Sequence, residues 1–166
     1  MHNQFKNVPP RICFLGKFRG KGVVLDNGLK YKEELIFKMF KNNIIHVHSQ
    51  TYTDDSSRTP IHMETGILKF PDMVEKKDEQ PFEASFVHPF SLAEYEYGTY
   101  YPKEQKMELE LKHLLRGDYK KGRLTTAFKR VYWLNKRFEL NYKMYLGLDN
   151  KEPYHHLEAT LRRISI

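Results

Sequence analysis

The residues in this chain best suited to chemistry near neutral pH are its histidines, since an imidazole can carry a proton or bind a metal through either ring nitrogen. One lies in Pro60-Ile61-His62-Met63-Glu64-Thr65-Gly66, and a pair stands in His155-His156-Leu157-Glu158-Ala159. Either place can supply a metal or haem ligand. His46 and His48 are two apart and share one face of an extended chain, but a zinc site wants three or four ligands and no third partner is evident. Glu64, beside His62, is read as facing outward, so no acid–base pair is expected there. Cys13, between Ile12 and Phe14, reads as a buried apolar residue, with no cation-rich setting to activate it. The glycines of Gly16-Lys17-Phe18-Arg19-Gly20-Lys21-Gly22 open a strand rather than a helix, which excludes a phosphate-binding loop and leaves strand bending as their use.

The elements that must position these residues are strands. Met107-Glu108-Leu109-Glu110-Leu111-Lys112 alternates apolar and polar without error, as does Phe138-Glu139-Leu140-Asn141-Tyr142-Lys143-Met144, so each has one dry and one wet face when extended. The second follows Val131-Tyr132-Trp133-Leu134 across Asn135-Lys136-Arg137, a hairpin pattern. Ten strands are predicted, over 17–25, 32–40, 44–52, 61–70, 82–88, 92–100, 107–112, 124–134, 138–144 and 154–164. Helix formers in 103–115 compete with that assignment, but the alternation outweighs their propensity. Turn signals separate the strands: Asp26-Asn27-Gly28, Lys41-Asn42-Asn43, Asp54-Asp55-Ser56-Ser57, Pro71-Asp72, Gly117-Asp118 and Asp149-Asn150. Short connections favour an all-β, up-and-down antiparallel barrel of about ten strands, similar in outline to lipocalins and fatty-acid-binding proteins. Such a barrel has room for an internal cavity, which eleven Phe and eleven Tyr would line or fill.

With 166 residues and no Pro/Ser/Gly-rich linker, residues 1–166 are expected to form one domain. The single cysteine excludes an internal disulfide and fits a reducing compartment, so a cytoplasmic location is expected. The start, Met1-His2-Asn3-Gln4-Phe5-Lys6, has no apolar leader segment, and no run approaches the ~20 apolar residues of a membrane helix. A net charge of +7 raises nucleic acid as a partner. The basic residues of 112–137, however, sit mostly at turns or alternate with apolar ones, as on a solvated barrel face; neither nucleic-acid nor membrane partners are expected.

Four segments together resemble the nitrobindin family. Phe14-Leu15-Gly16-Lys17-Phe18-Arg19-Gly20-Lys21-Gly22 resembles its L-G-x-W-x-G-x-G opening, and Pro60 to Gly66 its P-M-H-x-E-S-G segment. Tyr132-Trp133-Leu134-Asn135 with Phe138, Leu140, Tyr142 and Met144 resembles its penultimate hairpin, and His156-Leu157-Glu158-Ala159-Thr160-Leu161 its closing H-L-x-A strand. Phe18 stands where the family has tryptophan and Ile61 where it has methionine, apolar exchanges that a cavity wall can accommodate.

The resemblance implies a ten-stranded barrel holding one b-type haem per chain near its mouth, with ferric iron that binds nitric oxide and isomerises peroxynitrite to nitrate. It places the iron ligand on His156, and Ile61 and His62 on the opposite, distal side. There His62, as catalytic residue, would exchange a hydrogen bond with the bound molecule. His88, in Val87-His88-Pro89-Phe90, falls near the same pocket. Strict alternation turns His156 outward with Glu158, Thr160 and Arg162 and gives His155 the inward parity. A bulge would redirect His156, so both stay candidates for the ligand. A second reading of the same cavity is a carrier of an apolar ligand such as a fatty acid, held at its carboxylate by a basic residue.

Overall fold

Ten antiparallel strands run in chain order: β1 (Gly16–Val24), β2 (Leu29–Lys41), β3 (Ile44–Thr53), β4 (Pro60–Lys69), β5 (Gln80–His88), β6 (Leu92–Tyr101), β7 (Lys106–Arg116), β8 (Thr125–Leu134), β9 (Leu140–Leu148) and β10 (Tyr154–Ser165). Each pairs with its neighbours in sequence, and β1 pairs with β10 to close the barrel. The computed structural model describes residues 13–71, 78–118 and 122–166. The amino-terminal segment 1–6, Asp72 of one turn signal, and Lys120 and Lys121 of the basic stretch lie outside the described residues. All ten expected strands are present, and 106–116 is strand rather than helix. One boundary differs: Phe138 belongs to the β8–β9 turn, with φ 58° and 57% exposure. The Asn135 side-chain oxygen accepts the backbone N–H groups of Arg137 and Glu139 there, an Asx turn that starts the strand two residues later than the alternation does.

Closure sends one face of every strand inward, and the two ends of the interior are filled differently. Phe14, Phe18, Phe37, Tyr100 and Tyr132 pack edge-on or tilted at centroid distances of 6.1–6.3 Å. With Leu35, Leu68, Phe70, Phe82, Met107 and Leu140 they occupy the end where β2 turns into β3 and β6 into β7. The aromatics therefore fill more than they line. Cys13 is half-buried at this plug, its Sγ 3.5 Å from the Tyr100 hydroxyl.

The other end carries the β1–β2, β3–β4, β5–β6, β7–β8 and β9–β10 turns and stays open. Gly28 turns β1 into β2 with φ +70°, a conformation that costs glycine little. Gly22 serves packing: a Cβ there would stand 2.3 Å from the Tyr31 ring. Three of the register shifts among the described residues lie at this mouth. Register shifts fall between Thr51 and Tyr52 opposite Ile61, between Thr125 and Ala127, and between His155 and Leu157. Each adds a residue that re-aims its neighbours.

Candidate functional site

A cavity of about 350 Å³ occupies the open end. Val24, Leu29, Ile61, Leu92, Met144 and Leu157 give it apolar walls, and His62, His88 and His156 lie on the same lining. The four residues singled out in the sequence, Ile61, His62, His88 and His156, are thus brought together on one cavity. His46 and His48 are not: they lie on the outer face of β3, where His46 contacts the Thr65 hydroxyl at 3.0 Å.

The bulge in β10 sets which of the two adjacent histidines reaches the cavity. His155 pairs with Tyr145 and Leu157 with Met144, leaving His156 as the extra residue. Paired residues share a face. His155 therefore stands outside, stacked on Tyr145 at 5.2 Å and 3.5 Å from Glu158. Beyond the bulge the parity is reset, and His156 and Leu157 both line the cavity. The His156 Nδ1 sits 3.0 Å from Asp26 Oδ2, which also accepts the Tyr154 hydroxyl at 2.9 Å. The backbone fixes this pair as well, since the Leu25 N–H donates to the His156 carbonyl at 2.8 Å. With Nδ1 held by a carboxylate, Nε2 is the ring nitrogen left for a metal.

On the far wall, β4 and β5 contribute His62, Glu64 and His88. Glu64 is buried at 5% exposure and lines the cavity, which overturns its expected outward orientation. Residues two apart in a strand share a face, so His62 and Glu64 point the same way. The His62 Nε2 lies 3.1 Å from His88 Nδ1, and its ring stacks on Phe90 at 5.5 Å. Gln50 and Thr51 donate to the His62 carbonyl at 2.8 and 3.3 Å and fix the backbone under the ring. Burial lowers the His62 imidazole below its ordinary value, against the opposing pull of Glu64.

Below the histidines lies a charged floor. Arg130, fully buried, crosses from β8 to place Nη1 2.8 Å from Glu64 and Nη2 2.7 Å from Glu94 and 2.9 Å from Glu96. His88 Nε2 is 3.3 Å from Glu94. Burial pushes the Glu94 carboxyl up, but the contacts with His88 and Arg130 outweigh it and hold it at about 2. Burial wins at Glu96, which rises to about 8 despite Arg130. Beside Glu94 on the same strand, it keeps its proton at neutral pH. Burial likewise raises Glu33 to about 7 against hydrogen bonds from Tyr142 and Ser49, and Tyr142 in turn meets the Tyr31 hydroxyl at 2.8 Å.

Neither this floor nor Asp26 was anticipated from the sequence. Glu94 and Glu96 do leave a signal, because they alternate with Tyr95 and Tyr97 in the reverse of the usual sense, carboxylates in and rings out.

Residues 8–163 match the family described as "THAP4-like, heme-binding beta-barrel domain". The chain is 31% identical over 141 residues to "Peroxynitrite isomerase 2" of Mycobacterium ulcerans (strain Agy99), covering 82% of this chain and 80% of that protein. The crystal structure of Rv2717c from M. tuberculosis superposes with a TM-score of 0.74 at 25% identity, covering 95% of this chain and 99% of that one.

Proposed function

The chain belongs to the family of THAP4-like, haem-binding β-barrel domains, the nitrobindin family, and from that membership we propose that its mouth cavity holds one b-type haem with His156 as the iron ligand and uses it on peroxynitrite or nitric oxide. The observation that carries this reading is the β10 bulge, which turns His156 inward and leaves its Nδ1 on Asp26. The residues present fit the group: one oriented imidazole, apolar walls for a porphyrin, and a mouth open to water for its propionates.

When bound, the haem would supply a ferric Lewis-acid centre for the isomerisation of peroxynitrite to nitrate. The chain's own residues do the rest. Glu94 is ionised and 3.3 Å from His88 Nε2, so that nitrogen carries the His88 proton. His88 Nδ1 is then a bare acceptor, and His62 donates its Nε2–H to it across 3.1 Å. That leaves Nδ1 of His62, neutral in its buried setting, to accept the proton of peroxynitrous acid or a hydrogen bond from water. Ile61, Leu92 and Leu157 wall off the reacting fragments from solvent.

The carrier reading requires a cation at the ligand's carboxylate. Glu33, Glu64 and Glu94 line the cavity instead, and none of the described lining residues is Lys or Arg, so an acyl carboxylate would meet like charge.

A haemin titration of the haem-free chain, run on the wild type, His156→Ala and His155→Ala, tests the proposal. The expected result is a saturable Soret shift at one haem per chain that only His156→Ala abolishes. Loss only in His155→Ala overturns the ligand, and no stoichiometric binding by the wild type overturns the reading. The haem-loaded protein must also decay peroxynitrite faster than free ferric haem does.

A further inference from the structure

The cluster on the far wall has more ordered donors than a hydrogen-bonding role needs. His62 Nε2 and His88 Nδ1 are 3.1 Å apart, His88 Nδ1 and Glu64 Oε2 are 3.9 Å apart, and one donor atom from each of the three residues lies within 4.8 Å of the others. A tetrahedral ion with ligands at about 2.0–2.1 Å sets neighbouring donors roughly 3.3 Å apart. The histidine pair lies just inside that edge, the His88–Glu64 pair roughly 0.6 Å outside it and the His62–Glu64 pair within 4.8 Å, so a shift of the Glu64 carboxylate toward the two rings closes the site.

Two of the atoms that would not bind the ion face a charged partner. Glu64 Oε1 is held by Arg130 at 2.8 Å, leaving Oε2 as donor. His88 Nε2 faces Glu94 Oε2 at 3.3 Å and has no hydrogen bond of good geometry, although the side chain is only 7% exposed. A carboxylate behind the far nitrogen of an imidazole is the arrangement that orients metal-ligating histidines. Charge points the same way: among the described residues the carboxylates of Glu64 and Glu94 share the single buried guanidinium of Arg130, with Glu96 neutral beside them.

We propose that His62, Glu64 and His88 form a binding site for a divalent transition ion, a two-histidine, one-carboxylate set of the kind zinc and non-haem iron take, with its remaining positions open to the cavity. Binding moves the His62 proton from Nε2 to Nδ1 and releases no proton from the pair. The site needs no haem and lies across the barrel from β10, with three strands between them on one side and four on the other. His46 and His48 offer the natural control, since no third donor joins them among the described residues.

The experiment titrates tag-free, haem-free, full-length chain with Co²⁺ followed by visible absorbance, then displaces it with Zn²⁺. The wild type is expected to bind one ion per chain. His62→Ala and His88→Gln should each weaken binding by about a hundredfold or more, and Glu94→Gln by about 10–100-fold as the group behind a ligand. The double variant His46→Ala/His48→Ala should bind as the wild type does. His62 lies on the cavity wall, so His62→Ala decides the matter even if His88→Gln fails to fold. Absence of saturable binding, wild-type affinity in His62→Ala, or loss in the His46/His48 double variant would each overturn the site.

Discussion

His156 Nδ1 and Asp26 Oδ2 stand 3.0 Å apart although 130 residues separate them in sequence. The contact exists because β1 closes the barrel against β10, which brings the β1–β2 turn beside the β10 bulge. Barrel closure and the orientation of His156 are therefore one event: the hydrogen bond from Leu25 to the His156 carbonyl secures the strands, and Asp26 secures the ring.

Asp26→Ala should accordingly weaken haem binding by about 10–100-fold while leaving the barrel folded, because the ring keeps its place on the bulge but loses its preferred tautomer. Tyr154→Phe, which removes a hydroxyl from the same carboxylate oxygen, should change affinity by less than about threefold. Soret titrations of both variants, with circular dichroism as the fold check, measure this. Equal affinity in Asp26→Ala and wild type would remove Asp26 from the site.

Arg130→Met should destabilise the fold by about 3–5 kcal/mol, since it leaves Glu64 and Glu94 buried without their cation. Glu96→Gln should cost far less. That carboxyl, raised to about 8, is already neutral at pH 7, and its replacement removes no charge. Urea denaturation of the two variants separates them, and similar losses would contradict the assignment of charge within the floor.

Glu33 makes stability depend on pH in a definite direction. Its carboxyl, at about 7 in the fold against an ordinary 4.5, binds its proton more tightly folded than unfolded. Its contribution is complete below about 4.5 and is lost as pH rises toward and through 7, each unit of displacement being worth about 1.4 kcal/mol. Denaturation midpoints at pH 5, 6, 7 and 8 should fall across this window, and Glu33→Gln should flatten the decline. A variant as steep as the wild type would exclude Glu33 as the source.

How much of this was legible in the sequence follows from periodicity. Alternation over 107–112 and 140–144 specifies strands directly, and short polar turns leave few topologies besides a meander that closes. Bulges break the same rule that makes strands readable. Counting by twos turned His156 outward, and only the pairing of Leu157 with Met144 shows that one residue had been skipped. Glu64 fell to a simpler error of parity: it reads outward only if counted as the neighbour of His62, whereas it stands two residues on and shares its face. The Arg130 floor draws one residue each from β4 and β8 and two from β6, and no local window contains such a set.

His62→Leu separates holding the cofactor from acting on what binds to it. The leucine keeps apolar bulk against Phe90, where the imidazole now stacks at 5.5 Å, so haem affinity should stay within about threefold of wild type. The variant loses the imidazole proposed to accept from the bound molecule, the one anchored through its other nitrogen on His88. Peroxynitrite decay by the haem-loaded variant should therefore slow by about 100-fold, the low end of what a positioned proton acceptor contributes. Stopped-flow decay rates beside Soret affinities make the comparison. A loss of affinity without a change in rate per bound haem would recast His62 as packing, whereas an unchanged rate and affinity would move the acceptor elsewhere on the wall.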